Sequence, residues 1–383
     1  MSESAAAPYW RLSGFYLFYF ATIGVIVPYW PLYLKSLSFS PREIGELMAV
    51  VMATKIIAPN IWGWIADHTG QRMWIVRAGS LLAILFFTGV FFGQSYLWMA
   101  AVMAAFSFFW NATLPQFEAT TFSHLGDQTH RYSSIRLWGS IGFVIAAIGL
   151  GWELEVQGAG DLPVVLLGLF LGIWLISLIV PERAAGYLKL DELHLFDVLK
   201  RPEVLALIVI VFLMQLSHGP YYTFYTIYME DHGYSRSFIG WLWALGVIAE
   251  IVVFLFMHRL IPAFGLRRLL LFSLAMAALR WCLLAWFVDS LLIMLLNQML
   301  HAATFGVYHA AAIQYFHVYF RGRHQGRGQA LYSSMSYGAG GALGALLSGY
   351  AWSGLGSTMT YLAAALISVL SIMIGWRYLR TLD

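Results

Sequence analysis

Residues 63–72 read GWIADHTGQR, a short polar break between two long apolar runs, and the rest of the chain is read outward from it. Glycine suits both of its positions here. Gly63 lets helix backbones approach closely, and Gly70 lets the chain turn through positive φ. Asp67 can sit against the positive end of a neighbouring helix, and Arg72 can pair with it or hold the loop at a membrane surface. An ordinary membrane hairpin is also rich in Gly and Arg, so the break needs support from elsewhere in the chain.

Composition supplies the first support. Of 383 residues, 60% are hydrophobic, 17% aromatic and only 11% charged, with a mean hydropathy of +0.72. An average soluble domain carries about 25% charge, so this is a polytopic membrane protein whose partner is the lipid bilayer. The net charge of +3 is small and its basic residues are scattered among loops, a pattern that does not suit nucleic-acid binding. Cys282 is the one cysteine, which leaves no internal disulfide and no cysteine-based metal site. No cofactor, metal or catalytic residue is expected. The first ten residues carry Glu3 and no basic cluster, so a cleaved signal peptide is not expected either.

Apolar runs of about 20 residues, enough to cross a bilayer, fall near 12–34, 43–66, 73–93, 96–121, 135–154 and 163–181. A more polar stretch from Glu182 to Arg201 follows, then runs near 203–229, 237–259, 268–288, 290–316, 328–352 and 357–378. The expected fold is an all-α membrane protein with twelve transmembrane helices. Two six-helix bundles, residues 1–182 and 202–383, flank a linker over 183–201. Lysine and arginine set the orientation. Of 22 such residues, seventeen, among them Arg11, Arg72, Arg131, Arg136, Arg183, Lys189, Arg267, Arg321, Arg323 and Arg380, fall on the face that carries both termini. Only Lys35, Arg42 and Arg236 fall on the other. The bias places both termini and the linker in the cytoplasm.

The two halves repeat. Ser40, Ile44, Gly45, Gly70 and Arg72 recur 195 residues later as Ser235, Ile239, Gly240, Gly265 and Arg267, and Tyr132-Ser133-Ser134 recurs 200 residues later as Tyr332-Ser333-Ser334. A nearly constant offset argues for parallel halves related by an axis along the membrane normal, as in secondary transporters that hold substrate between halves at mid-membrane. Glycines at 139 and 142, and at 338, 340, 341, 344 and 349, predict close helix packing, with Gly340 and Gly344 in GxxxG spacing.

Ionisable side chains inside the spans carry the functional argument, because each costs about 2.5–3.5 kcal/mol to insert. Lys55, Glu250 and Arg280 lie mid-span in the second, eighth and ninth runs, and each should face another charge or a wet cavity. Adding the repeat offset of 195 to Lys55 gives Glu250. A base and an acid therefore occupy equivalent places; they can share one central cavity, or each can be neutralised within its own half. Glu250 is a carboxylate whose proton affinity depends on a nearby cation, as proton coupling requires. In the tenth run Asn297, His301, Thr304 and Tyr308 keep the spacing of one helical face. That gives His301 a substrate or proton role and leaves His309 off the centre of the face, bonded to a neighbouring helix.

The break at 63–72 resembles the G-x-x-x-D-x-x-G-x-R/K loop that joins the second and third helices in the major facilitator superfamily, with Gly63, Asp67, Gly70 and Arg72 in the motif positions. The resemblance implies a transporter rather than an enzyme, working by rocking of its halves around a central site. The order Glu118 in LPQFEA, Arg136 in IRLWGS, Glu250, Arg280 and His301 in QMLH is similar to the essential-residue pattern of the lactose permease family of proton symporters. By that resemblance Glu118 and Arg136 contact substrate, Glu250 contributes to binding and coupling, and Arg280 and His301 belong to the coupling network. Thr304 stands where that family has a protonated glutamate, so Glu250 or Glu118 must do its work if protons drive transport. Segments PYWPLYLK at 28–35, SHGPYYTFYTIY at 217–228, WLWALGVIAE at 241–250 and LHAATF at 300–305 resemble the 3-phenylpropionate permease branch. That branch implies proton-coupled uptake of an aromatic monocarboxylate, and a monomer in a bacterial cytoplasmic (inner) membrane is expected.

The residues suit such a substrate. A carboxylate in a low-dielectric cavity needs a cation, and Lys55, Arg136 and Arg280 are candidates, Arg136 being able to bind it bidentately. An aromatic ring can stack among Tyr29, Trp30, Tyr221, Tyr222, Phe224 and Tyr225. Glu118 and Arg136 flank a loop, so an exposed ion pair between them is the rival reading. A proton symporter of a neutral sugar or nucleoside, and a proton-driven efflux antiporter, stay open. A receptor or membrane enzyme is not favoured, because the sequence carries no appended soluble domain, clustered metal motif or nucleophile elbow.

Overall fold

The computed structural model describes residues 7–183, 198–320 and 325–380, without the side chain of Gln325. Most of the expected linker, with Lys189, and also Arg321 and Arg323 lie outside the described residues. Among the described residues eleven helices are long and apolar enough to cross a membrane. They are α1 Tyr9–Ser36, α2 Pro41–Thr69, α3 Arg72–Phe91, α4 Tyr96–Leu125, α5 Thr129–Gln157, α6 Ala159–Ile179, α7 Pro202–Asp231, α8 Arg236–Phe264, α9 Leu266–Phe287, α10 Leu291–Tyr319 and α11 Gly326–Tyr378. The first ten apolar runs coincide with α1 to α10. At 53 residues, α11 is more than twice the length a bilayer needs. Gly356, at φ 82° and ψ 173°, breaks it into two arms, which fall on the last two runs.

The repeat in the sequence is built as repeated local geometry. Ser40 and Ser235 cap helices of 29 residues each, at φ/ψ −66°/157° and −68°/150°. Each hydroxyl accepts the backbone N–H three residues on, from Glu43 or Phe238, which satisfies a donor left free in the first turn. Gly70 and Gly265 then end these helices at φ 69° and 75°, where a side chain would be strained.

Burial sorts the helices. The most apolar windows of α1 and α7 are 67% and 78% buried, so both run inside the molecule, whereas α2 and α8 are each 33% buried and expose a lipid-facing side. Exposed tryptophans lie near helix ends. Trp10, Trp64, Trp74 and Trp376 mark one side, and Trp98, Trp152, Trp241 and Trp286 the other, as in the aromatic belts of a membrane protein.

Helices α1 to α6 meet the later helices chiefly where α2 crosses α11 and α5 crosses α8. Backbone touches backbone there. A Cβ added to Gly45 would lie 2.7 Å from the Ala345 oxygen and 2.7 Å from Gly349 Cα, and one on Gly151 would lie 2.7 Å from the Arg236 oxygen. Polar bonds join the two groups at the same end. Lys35 Nζ lies 2.5 Å from Asp231 and 3.7 Å from Glu230. Arg236 donates to the Leu154 carbonyl at 2.9 Å, and its backbone N–H donates to Glu155 at 2.6 Å. Tyr350 donates to Glu46 at 2.7 Å. At the end bearing Gly70 and Gly265 the bonds stay within a group: Arg77 donates to the Ser177 and Val180 carbonyls, and Arg267 to that of Trp376. Among the described residues no hydrogen bond or ion pair joins the groups at that end, so the polar ties between them lie at the Lys35–Arg236 end, which is closed.

Gly340 and Gly344 bring α11 onto α7, where a Cβ would lie 2.5 Å from the Phe212 oxygen and 2.8 Å from the Leu216 oxygen respectively. The GxxxG spacing thus serves packing.

Candidate functional site

The loop motif forms a compact polar cluster. Arg72 pairs with Asp67 at 2.7 Å and donates to Gln116 Oε1 of α4 at 2.7 Å. Gly63 leaves room for Gln116, whose amide nitrogen lies 3.7 Å from where a Cβ would be. The helix-end role anticipated for Asp67 falls to Glu182, whose carboxylate accepts the N–H of Met73 in the first turn of α3 at 2.9 Å. Asp67 sits in the last turn of α2 with its carboxylate already engaged by Arg72.

In the first helix group Glu118 and Arg136 are both half-buried. Tyr132 donates to Glu118 at 3.2 Å, and the Arg136 guanidinium lies 3.6 Å from the centre of the Phe20 ring and 5.6 Å from that of Tyr16. The exposed Glu118–Arg136 ion pair is not formed: among the described residues Arg136 has no carboxylate within salt-bridge distance. Its cation rests on aromatic faces instead. Lys55, also half-buried, follows Met52 and precedes Ile56, which abut Gly341 and Gly338 of α11. Among the described residues its ammonium has no hydrogen bond or ion pair.

The second group holds a fully enclosed cation. Arg280 is 0% exposed and stacks on Tyr221 and Trp281 at 4.2 and 5.1 Å. Its Nε donates to the Asn297 backbone oxygen at 3.1 Å, and its Nη1 donates to Thr304 at 3.2 Å and to His301 Nδ1 at 3.1 Å. Arginine only donates, so Nδ1 of His301 is the acceptor and the neutral ring carries its proton on Nε2. That nitrogen lies 3.8 Å from Glu250 Oε2. Arg280, His301 and Glu250 form a chain that ends at a half-buried carboxylate.

Three expectations are corrected by this packing. Arg280 is not a cation open to a substrate carboxylate, because its donors are committed inside α9 and α10. Asn297 is likewise enclosed and donates back to the Arg280 carbonyl at 2.7 Å. Tyr29 is 0% exposed and donates to the Ala147 carbonyl at 2.7 Å, which places it in the α5–α8 crossing rather than on a ring-binding surface. Tyr222 is half-buried and stacks on His218 at 5.7 Å.

His309 is bonded to a neighbouring helix, as its place off the centre of the face suggested, and it also joins a ring stack along α10. Between His301 and Tyr308 the backbone takes a π-helical turn, Ala302–Val307, and such turns recur at functional sites. The wider turn brings His301, Phe305 and His309 into one stack, with ring centres 5.4 and 5.8 Å apart and planes within 19° and 4°. His309 Nδ1 lies 2.8 Å from the Tyr332 hydroxyl and 3.1 Å from that of Tyr337. A signal was present in the repeat: Tyr132 and Tyr332 each bond an ionisable side chain of the preceding helix, Glu118 or His309. Arg136 is a charge that acts on both Glu250 and His309. A separate, largely apolar crevice of about 350 Å³, lined also by Glu153, runs between α1, α5 and α6 beside Ile145.

The MFS_1 like family pattern matches residues 9–363. The chain belongs to that family. Among its relatives is the probable 3-phenylpropionic acid transporter of Escherichia coli (strain K12), 27% identical over 93% of this chain and 94% of that one. The maltose permease of Geobacillus stearothermophilus is 26% identical over 88% of this chain and 86% of that one. The crystal structure of the nucleoside transporter NupG superposes with a TM-score of 0.85 at 16% identity, over 97% of this chain and 99% of that one; the POT family transporter PepTSo gives 0.80 at 11%, over 97% of each. These structures share the fold. This MFS_1 like protein is therefore a multi-pass membrane protein and a secondary transporter, not an enzyme.

Proposed function

We propose that this MFS_1 like transporter is a proton-coupled symporter of a small aromatic monocarboxylate. The observation that carries the reading is the charge arrangement between the helix groups. Lys55 and Arg136 are half-buried cations with no carboxylate partner among the described residues, while Glu250 pairs with a histidine whose other nitrogen is held by Arg280. Cations inserted at that energetic cost suit an anionic cargo. The likeness to a probable 3-phenylpropionic acid transporter supports the same class.

In this reading the two arms of α11 cross the bilayer separately, giving twelve crossings, with both termini cytoplasmic in a bacterial inner membrane. Bundles 1–182 and 202–383 rock about the linker 183–201, guided by the loop of Gly63, Asp67, Gly70 and Arg72, and the protein works as a monomer. The end tied by Lys35 and Arg236 is then the outer end, and the site opens to the cytoplasm. Lys55 and Arg136 bind the carboxylate, Tyr222 borders the ring, and Glu118 holds Tyr132 in place beside Arg136. A charged Glu250 would repel the bound anion across a low-dielectric site. Protonated, with His301 Nε2 as its neighbour, it permits closure around the substrate; loss of the proton inside favours release. A neutral sugar or nucleoside cargo is the second reading, since Glu118 and Glu250 can accept hydroxyl hydrogens.

The test is uptake of radiolabelled 3-phenylpropionate into proteoliposomes under an inward proton gradient, with maltose, lactose and a nucleoside alongside. The expected result is gradient-dependent accumulation of the acid, lost in Arg136→Ala and Lys55→Ala. Accumulation of a neutral compound instead would overturn the carboxylate reading, and extrusion driven by the opposite gradient would overturn symport.

A further inference from the structure

The cluster of His309, Tyr332 and Tyr337 plays no part in the Arg280–His301–Glu250 chain. We propose that it recognises a hydroxyl group on the ring of the carried acid, so that the preferred substrate is a hydroxylated aromatic carboxylate. The inference rests on the carboxylate reading above and adds the group at the opposite end of the molecule.

Hydrogen-bond inventory is the first argument. Two hydroxyl groups converge on His309 Nδ1, at 2.8 and 3.1 Å, and on each other at 3.5 Å. Tyrosine hydroxyls donate as well as accept, so Nδ1 either accepts from one of them or donates to one, and in both tautomers Nε2 keeps one hydrogen-bonding position of its own. Among the described residues Nε2 has no partner, and His309 and Tyr337 are half-buried rather than sealed. The cluster thus presents one unpartnered ring nitrogen, which a phenolic hydroxyl can meet either as donor or as acceptor.

Placement is the second. Phe305 stacks on His309 with ring planes within 4°, and its ring centre lies 6.2 Å from that of Tyr337. An apolar surface therefore adjoins the polar one. Arg136 rests on Phe20 in the other helix group with no carboxylate partner among the described residues. A substrate with its carboxylate on Arg136, its ring against Phe305 and its hydroxyl on His309 satisfies all three. An unsubstituted ring would displace water from Nε2 and leave that nitrogen unpaired, a loss worth roughly tenfold in affinity.

A clamp that merely ties α10 to α11 would have the same bonds, and the experiment separates the two. Proton-driven uptake of 3-phenylpropionate and of 3-(4-hydroxyphenyl)propionate is measured in proteoliposomes of wild type, His309→Phe, His309→Gln and Tyr337→Phe. The expected wild-type KM is about tenfold lower for the hydroxylated acid. That preference disappears in His309→Phe, where the KM for 3-phenylpropionate falls because no ring nitrogen is left unpaired, shrinks in Tyr337→Phe and is partly kept in His309→Gln; continued accumulation of 3-phenylpropionate in every variant shows that the variants fold. Equal KM values in the wild type, or variants that impair both acids alike, overturn the inference while the carboxylate reading stands. Accumulation of neither acid overturns both.

Discussion

Gly45→Ala tests how the closed end is held. The added Cβ would sit 2.7 Å from a carbonyl oxygen and from an α-carbon of α11, against 3.4 Å for the start of ordinary contact. Every near neighbour is backbone, so no side chain can swing away and α2 must withdraw from α11 by about 0.7 Å. Overpacking of this kind costs roughly 1–3 kcal/mol. The adjoining Tyr350–Glu46 bond, 2.7 Å long, stretches with it, at about 1 kcal/mol. The sum, roughly 2–4 kcal/mol, shifts the balance between closed and open states of this end about 30- to 700-fold towards open. Spin labels at Phe92 and Leu355, which are 80% and 65% exposed near the ends of α3 and the first arm of α11, report the separation by double electron–electron resonance. The wild type should give one short distance and Gly45→Ala a dominant longer one. Gly149→Ala, where an added Cβ meets nothing within 4 Å, is the control and should match wild type. A Gly45→Ala distribution identical to wild type would refute the claim that backbone contact at this crossing holds the end shut.

Replacing Glu250 with Gln should abolish accumulation against a gradient while preserving substrate exchange; counterflow and gradient-driven uptake measured on the same vesicles decide it, and wild-type accumulation would remove Glu250 from coupling. Arg280→Lys keeps the charge but loses the fork that serves Asn297, His301 and Thr304, so about 1–3 kcal/mol of stability should be lost; an unchanged thermal unfolding midpoint in detergent would contradict the enclosed role. Lys35→Met removes a pair whose side chains are 39% and 49% exposed, worth only about 0.2–1 kcal/mol, and initial uptake at physiological salt should change less than about fivefold. A larger effect would mean that this pair, rather than the glycine crossings, carries the closure.

Hydropathy made the helices legible because a membrane span must be continuously apolar and internally hydrogen-bonded. The caps were legible too: Ser40 and Ser235 announce the starts, and Gly70 and Gly265 the ends, of two equivalent helices. Enclosure was not. Nothing in the sequence around Arg280 says that Tyr221, Trp281 and Asn297 close over it, and Tyr29 reads equally well as a ring-stacking surface or as a strut against α5. The bond from His309 to a neighbouring helix was legible, but its stack with Phe305 and His301 was not, because the counting assumed a uniform α-helix. One π-helical turn between Ala302 and Val307 rotated everything beyond it, and hydrophobic periodicity carries no mark of such a turn.

Among the described residues both π-helical turns, Ala302–Val307 in α10 and Ser334–Gly340 in α11, lie in the second helix group, and their counterparts in α4 and α5 run as ordinary α-helix. A widened turn has looser backbone bonds and is a natural place for a helix to wind or unwind by a residue. The repeat in sequence therefore does not imply equal stiffness. The first group can travel as a solid block, while the second has two compliant joints set beside His301, His309 and Tyr337, so the halves of a symmetric-looking carrier would divide the motion unequally.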